Sequence, residues 1–216
     1  MILKLIVLSL YFSILLGIGY FASRRVTNIT DYYVGGKKLG YWIAALSARS
    51  TGESGWLLIG VTGMGALMGF SAFWIVVGEV LGVWISWQFM AKKFKRMTNE
   101  YNSITIPDFL VSHFQSTTHL IRIVSATALS LFVVIYVSAQ IDITGKTFES
   151  FLGFNYYTGI TIGFGIVVLY IFSGGFLAVA WSDFFQGSLM FIGLLLLPVV
   201  AYFSLSTDVS IINGIR

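Results

Sequence analysis

The stretch that decides the fold reads ALSARSTGESGW and runs from Ala45 to Trp56. It lies inside residues 39–68, a segment that is otherwise apolar enough to cross a membrane. Between Ser47 and Gly55 an arginine, a glutamate and two glycines interrupt the apolar pattern. Glycines weaken a helix, and hydroxyl side chains can satisfy the backbone groups that a break sets free. The sequence therefore predicts a membrane helix that is broken at this stretch.

The rest of the chain has the composition of a membrane protein. Its 216 residues are 57% hydrophobic and only 10% charged, whereas a soluble domain usually carries about 25% charged residues. No soluble fold has enough interior to hide this much apolar surface, so the surroundings must be lipid. The chain has no cysteine and two histidines, which excludes disulfides and thiolate metal sites. No catalytic motif is recognisable, so we expect neither an enzyme nor a cofactor.

Six segments of spanning length can be drawn. They cover residues 2–22, 39–68, 70–89, 120–145, 157–176 and 184–205. About 20 apolar residues suffice to cross the hydrocarbon, so the second segment is longer than it needs to be, which indicates tilt or a break. The expected fold class is an all-α membrane protein with about six transmembrane helices. Before the fourth segment, Pro107 and Asp108 are expected to open a short helix.

Lysine and arginine predict the orientation of the chain. Nine of them lie on one side and three on the other, with Arg49 inside the second segment. The nine fall in or beside the loops 23–38 and 90–119, so these loops are expected in the cytoplasm, with the N-terminus and residue 216 outside the plasma membrane. Because the positive charges follow the first apolar run, we interpret that run as a retained helix rather than a cleaved signal peptide.

Two interpretations of the predicted break follow from its chemistry. Unwound backbone at membrane depth exposes carbonyl oxygens that can coordinate Na⁺, and it exposes a half-helix N-terminus that favours a carboxylate. The alternative is close helix packing through small residues. Arg49 and Glu53 are four residues apart, so on a continuous helix they share a face and can pair. That pair is either structural or part of the site, and Glu53 can also act through its carbonyl alone.

Five further residues carry polar groups at or near membrane depth. Glu79, in the third segment, is either a substrate or proton ligand or a hydrogen-bonded packing residue. Gln140 and Asp142 either line an outer vestibule or mark the end of the fourth segment. Ser182 or Asp183 is a candidate N-cap of the sixth segment, where an aspartate also complements the helix dipole. From the residues alone the cap is the favoured interpretation.

Four collinear stretches carry a resemblance that covers about residues 5–205. They read DYYVGGKKLGYWIAALSA, SGWLLIGVTGMGA, GVWISWQFMAKKFKRMTNEYNSITIPDFL and SGGFLAVAWSDFFQGSLM. Together they resemble the sodium:solute symporter family, most of all its sodium/proline branch. The resemblance implies the inverted-repeat fold of the leucine transporter with one extra helix in front. Residues 1–38 are then that helix and its loop, 39–205 the first five-helix repeat with a broken first core helix, and 206–216 an outward tail, the second repeat being absent.

The resemblance also implies site residues. Backbone carbonyls at Ser50 and Glu53 are expected to bind Na⁺, and Asp183 matches a family aspartate linked to sodium handling. The substrate-binding candidates are Ser54, Gly55 and Trp56, which match the stretch beside the proline site, together with Glu79 and Gln140.

One departure from the proline branch leaves the solute open. That branch usually has an aspartate where Gly52 stands here, one residue before Glu53. Some sugar-carrying relatives have an acidic substrate ligand near the position of Glu79.

The predicted function is the N-terminal half of a sodium-coupled symporter for a small organic solute, with proline or another amino acid first. Its expected partners are Na⁺, the solute, the lipid bilayer and the missing C-terminal repeat, present in the same chain or as a split chain. No nucleic-acid partner is expected. The alternatives are a membrane sensor or scaffold module of the same fold and a non-functional truncated fragment.

Overall fold

The computed structural model describes residues 2–37 and 39–204, apart from the side chain of Leu58. Across these residues the secondary structure is helical and contains no strand. The expected all-α class is therefore confirmed. The tail predicted for residues 206–216 and the position of Lys38 lie outside the described residues.

The described chain contains nine α-helices. They are α1 (Ile2–Ser23), α2 (Ile29–Val34), α3 (Tyr41–Gly55), α4 (Thr62–Met68), α5 (Phe73–Ile85), α6 (Lys92–Glu100), α7 (Ile106–His113), α8 (Leu120–Leu152) and α9 (Tyr156–Ser204). Wider π-helical turns, Trp56–Val61 and Ser86–Ala91, lead into α4 and α6, and 3₁₀ turns follow α2 and α4.

Within residues 2–37 and 39–204, four helical stretches are long and apolar enough to cross a membrane, where the sequence indicated six segments. They are Ile2–Ser23, Ile59–Glu100, Leu120–Leu152 and Tyr156–Ser204. The numbers differ because neighbouring segments are joined without a loop. The last stretch holds 49 residues. At about 1.5 Å per residue that is roughly 74 Å, more than twice the ~30 Å of hydrocarbon.

Two glycines interrupt these long stretches. Gly175, inside α9, has φ 55° and ψ −146°, and Gly69, at the end of α4, has φ 56° and ψ −137°. Only glycine adopts such angles without steric cost. The second half of α9 therefore starts at Gly175, well before Asp183. The N-cap interpretation of Ser182 and Asp183 is wrong, because both residues lie inside that half-helix.

The predicted loop 90–119 contains more helix than expected. α6 continues the helix of the third segment through the turn Ser86–Ala91. α7 begins after Thr105, whose hydroxyl accepts a hydrogen bond from the Asp108 amide at 3.2 Å, with Pro107 in its first turn. The helix expected at Pro107 and Asp108 is therefore confirmed.

The fourth segment also runs further than expected. α8 continues to Leu152, so Gln140 and Asp142 do not mark its end. Instead, Asp142 accepts hydrogen bonds from Lys146 at 2.7 Å and from the Tyr156 hydroxyl at 2.8 Å. These contacts tie the end of α8 to the start of α9.

The described residues form two compact units, 2–70 with 142–204 and 71–141. In the first unit, α9 packs against α1, α2 and α3. Leu15 and Ala22 of α1 are buried against Tyr170 and Ala178 of α9. The backbones approach closely at Gly19, where an added Cβ would lie 2.6 Å from the Cβ of Tyr170. This packing fixes α9 and thereby places its second half beside α3.

The second unit has a small core where α6 and α7 form a hairpin. Phe109 is buried, and its ring centroid lies 4.8 Å from that of Phe94 and 5.5 Å from that of His113. Asp108 forms an ion pair with Arg122 at 3.2 Å. The hairpin is thereby tied to the start of α8.

Candidate functional site

The break predicted from the sequence lies at Ser54. This serine has φ 39° and ψ −166°, a conformation that costs a non-glycine residue about 1–3 kcal/mol. The Trp56 amide donates to the Ser54 hydroxyl at 3.2 Å and also to the carbonyl of Glu53. The Ser54 hydroxyl therefore accepts a hydrogen bond from a backbone amide that lacks its regular helical partner, the carbonyl four residues earlier.

Arg49 and Glu53 form the ion pair that their spacing predicted. Glu53 is 5% exposed, whereas the side chain of Arg49 is 43% exposed. A buried carboxylate is tolerated when a cation neutralises it. The side chain of Glu53 is therefore engaged along α3, while its carbonyl lies at the break.

A second polar cluster joins α3 to α9. The Ser47 hydroxyl donates to a carboxylate oxygen of Asp183 at 2.6 Å, and the Ser50 hydroxyl donates to the Asp183 carbonyl at 3.1 Å. Ser47 is buried and Asp183 is half-buried. A hydrogen bond to an ionised carboxylate is shorter and stronger than one between neutral groups. The structure thus brings together Ser50 and Asp183, two of the three residues predicted to bind sodium.

The two helices approach closely at this cluster. A Cβ added at Gly187, four residues after Asp183, would lie 2.5 Å from the Ser50 hydroxyl. The Thr51 hydroxyl donates to the Ser47 carbonyl at 2.9 Å. Hydroxyl, carboxylate and carbonyl oxygens are therefore concentrated between the last turns of α3 and the second half of α9.

Beside the break lies an aromatic surface. Trp56 is 50% exposed, and its ring lies over Gly60, where an added Cβ would overlap the indole. Ser54 and Gly55, which precede it, are half-buried. Of the three predicted solute residues of this stretch, Ser54 and Gly55 directly precede the helical turn that follows the break, and Trp56 is its first residue.

The other two predicted solute residues belong to the second compact unit. Glu79 lies in α5 and Gln140 in α8, and both are half-buried. Each also interacts with another group of the protein, so burial alone does not single either out as a ligand. Their part in solute binding stays a prediction.

Ser47 and Gly187 were not predicted from the sequence as parts of the site. Ser47 stands three residues before Ser50, a spacing that places both on one face of a helix. Gly187 stands four residues after Asp183, a spacing that places both on one face of a helix. Both signals are present in the sequence, but they acquire a meaning only once α3 and α9 are known to be neighbours.

Comparison with known proteins extends these observations. The model of the sodium:solute symporter family matches residues 32–214. The high-affinity proline transporter of Bacillus subtilis is 46% identical over 187 residues, which is 86% of this chain and 40% of that protein. The sodium/proline symporter of Escherichia coli is 41% identical over 189 residues, covering 87% of this chain and 38% of that protein.

A third relative is the osmoregulated proline transporter of Bacillus subtilis, which is 39% identical over 199 residues, covering 92% of this chain and 40% of that protein. No solved structure matches significantly. The helices and these matches define a multi-pass, all-α integral membrane protein whose relatives are transporters and not enzymes. This chain belongs to the sodium:solute symporter family. It spans about 40% of the length of the curated relatives it matches.

Proposed function

We propose that this chain is the N-terminal part of a sodium-coupled symporter for a small organic solute, with proline or another amino acid first. The observation that carries the proposal is the break at Ser54 beside the contact of Ser47 and Ser50 with Asp183. The names of the relatives, which are proline transporters and sodium/proline symporters, support it. Na⁺ moving down its gradient drives solute uptake as one helix bundle rocks against another.

In this proposal the coupling ion binds between α3 and α9. Its ligands are the backbone carbonyls of Ser50 and Glu53, with Asp183 contributing negative charge. The arrangement supports this assignment because broken helices offer carbonyl oxygens to Na⁺ and because Asp183 already contacts both Ser47 and Ser50. The carboxylate of Glu53 is paired with Arg49, so Glu53 acts through its carbonyl. Na⁺ is the coupling ion, and no other cofactor is proposed.

The solute binds next to the break. Ser54 and Gly55 precede the turn Trp56–Val61, and the N-terminus of a half-helix favours the carboxylate of an amino acid. The half-exposed ring of Trp56 offers an apolar surface for the solute's hydrocarbon. From the sequence alone, Glu79 and Gln140 are proposed as further solute ligands, since a carboxylate suits an amino group and an amide can hydrogen-bond a polar solute.

The remainder of the proposed transporter is a second, inverted repeat, carried by a longer chain or by a separate one. The relatives are much longer than the matched region, which supports this. The protein sits in the plasma membrane with the loops 23–38 and 90–119 in the cytoplasm and the N-terminus and residue 216 outside. The clustering of nine of the basic residues in or beside these loops supports that orientation.

The test is solute uptake by the intact transporter that contains this chain, reconstituted in vesicles. Labelled proline, other amino acids, sugars and carboxylates are offered under an inward Na⁺ gradient and, as a control, under an equal choline gradient. We expect proline or another amino acid to accumulate only under the Na⁺ gradient, and the accumulation to collapse with a sodium ionophore. If none of these solutes accumulates, the proposal is wrong.

A further inference from the structure

Four cations project from α6. Lys92, Lys93, Lys95 and Arg96 are all exposed, and none of them forms an ion pair with a residue that the structure describes. Proposed sodium and solute binding uses none of these residues. They therefore form a charged surface whose role is still to be explained.

The apolar side of α6 already has a partner. Phe94 packs on the buried ring of Phe109 in α7, with ring centroids 4.8 Å apart, and Met97 is half-buried. On a helix of 3.6 residues per turn, the positions just before and after Phe94 lie on its flanks and on the opposite side. The hairpin thus holds α6 so that its basic side faces away from α7.

The four cations stand close to the expected membrane surface. Trp84 and Trp87 are 55% and 53% exposed, and exposed tryptophans are typical of the membrane–water interface. The helix is continuous from there to Glu100. At about 1.5 Å per residue, Lys92 lies roughly 8 Å and Arg96 roughly 14 Å beyond Trp87 along the helix. A headgroup layer is about 5–8 Å thick, and long basic side chains reach back toward it.

Little negative charge is available in the hairpin to balance these cations. Between residues 90 and 119 the carboxylates are Glu100 and Asp108. Asp108 is occupied, because it pairs with Arg122 at 3.2 Å and accepts the Thr105 hydroxyl at 2.7 Å. Glu100 stands at the far end of α6. The basic surface of α6 therefore keeps most of its positive charge.

We propose that Lys92, Lys93, Lys95 and Arg96 form a binding surface for the headgroups of anionic phospholipids in the adjacent leaflet. The phosphodiester oxygens accept hydrogen bonds from the ammonium and guanidinium groups, which hold the hairpin on the membrane surface. Each cation near a charged membrane surface contributes roughly 1 kcal/mol, a factor of about five in association. Lipid binding of this kind does not depend on the proposed transport activity.

The test is lipid selectivity measured by electron paramagnetic resonance on the purified, reconstituted protein. Trace amounts of spin-labelled phosphatidylglycerol or phosphatidylcholine are added to phosphatidylcholine bilayers, and the motionally restricted fraction gives the relative association. At about 0.05 M salt we expect at least about a fivefold preference for phosphatidylglycerol, the factor that one of the four cations contributes. The preference should approach unity at about 1 M salt, where the screening length is ~3 Å. Equal association of the two lipids at low salt overturns the proposal.

Variants locate the surface. Changing all four residues to glutamine (Lys92→Gln, Lys93→Gln, Lys95→Gln and Arg96→Gln) should abolish the preference, whereas exchanging lysine and arginine at the same positions should keep it. A matched control is Lys4→Gln with Lys146→Gln, since these cations bond to the Phe151 carbonyl and to Asp142; this variant should keep the preference.

Three results would refute the assignment. One is a preference that survives in the glutamine variant, and another is a preference lost in the control. The third is competition by free phosphate. At constant ionic strength, inorganic phosphate should displace phosphatidylglycerol no better than chloride does. If phosphate displaces more of the lipid, the surface binds free phosphate rather than lipid. If the fourfold glutamine variant does not fold, the single variants Lys92→Gln and Arg96→Gln replace it, and an unreduced preference in both would refute the assignment.

Discussion

Ser54 carries the backbone conformation on which the candidate site depends. Glycine would adopt φ 39° and ψ −166° at lower cost, yet glycine has no hydroxyl to accept the Trp56 amide. Serine is thus conformationally less favourable here than glycine, but its hydroxyl accepts the Trp56 amide at the start of the next half-helix. The break is therefore a property of this residue's backbone as much as of the glycines beside it.

Two variants at Ser54 separate conformation from hydrogen bonding. Both Ser54→Gly and Ser54→Ala lose the hydroxyl, but only alanine keeps the steric cost of the positive φ. We expect Ser54→Gly to be more stable than Ser54→Ala by about 1–2 kcal/mol. Thermal unfolding in detergent micelles measures the difference. Equal stability of the two variants would mean that this position is not held in the left-handed region.

At the residue scale the sequence predicted local relations and missed distant ones. The Arg49–Glu53 pair followed from a spacing of four, which one helix fixes by itself. The contact of Ser47 with Asp183 joins residues 136 positions apart, and no local pattern specifies it. From the residues alone, before the resemblance implied a sodium role, Asp183 was interpreted as a helix cap for the same reason, since its partner on α3 cannot be read from its neighbours along the chain.

At the scale of elements, the site depends on how closely α3 and α9 approach. Gly187 permits this approach because its missing side chain leaves room for the Ser50 hydroxyl. Ser50 in turn bonds to the carbonyl of Asp183. The absence of a side chain at Gly187 therefore allows the close helix contact that keeps the proposed sodium ligands together.

Gly187→Ala tests this contact, with Gly193→Ala as its control on the same helix. A Cβ at 187 would lie 2.5 Å from the Ser50 hydroxyl, whereas a Cβ at 193 meets nothing within 4 Å. We expect Gly187→Ala to lower the free energy of unfolding by about 1–3 kcal/mol through overpacking, and Gly193→Ala to leave it unchanged or raise it slightly. Equal effects of the two substitutions on the unfolding midpoint would contradict the observed packing.

The helices themselves were largely predictable, but their connections were not. Apolar runs gave the positions of α1 and α8 because about 20 apolar residues suffice for a span. The fifth and sixth segments, 157–176 and 184–205, were predicted as separate helices because a span needs only about 20 apolar residues. In the structure a single residue, Gly175, takes up the change of direction within α9. Whether the stretch between two such segments forms a loop or a kink within one helix depends on packing against α1 and α2, which the local sequence does not encode.

At the scale of the whole molecule, the first compact unit contains the broken helix and its partner α9. In the proposed transporter this unit supplies one face of the ion and solute site, and the second repeat supplies the other. Such a site requires that the described chain is inserted in one defined orientation. The distribution of lysine and arginine predicts which one.

Labelling of single cysteines measures the orientation, and these 216 residues contribute no cysteine of their own to the background. Thr117 lies in the loop 90–119 just before α8, and Ser150 lies near the C-terminal end of α8; both residues are exposed. Each is changed to cysteine in turn. We expect a membrane-impermeant maleimide to label Ser150→Cys in intact cells and Thr117→Cys only after permeabilisation. The reverse pattern would contradict the proposed orientation.

The central claim is that Asp183 and the break in α3 form part of a sodium site. The apparent Na⁺ affinity of solute uptake by the intact transporter tests this claim most directly. Asp183→Asn removes the charge while keeping the side chain's size, and Glu149→Gln removes an exposed charge elsewhere. A charged ligand contributes roughly 1.5–3 kcal/mol to binding. Asp183→Asn should therefore raise the half-saturating Na⁺ concentration at least about tenfold, whereas Glu149→Gln should leave it unchanged. An unchanged half-saturating concentration in Asp183→Asn would contradict the account.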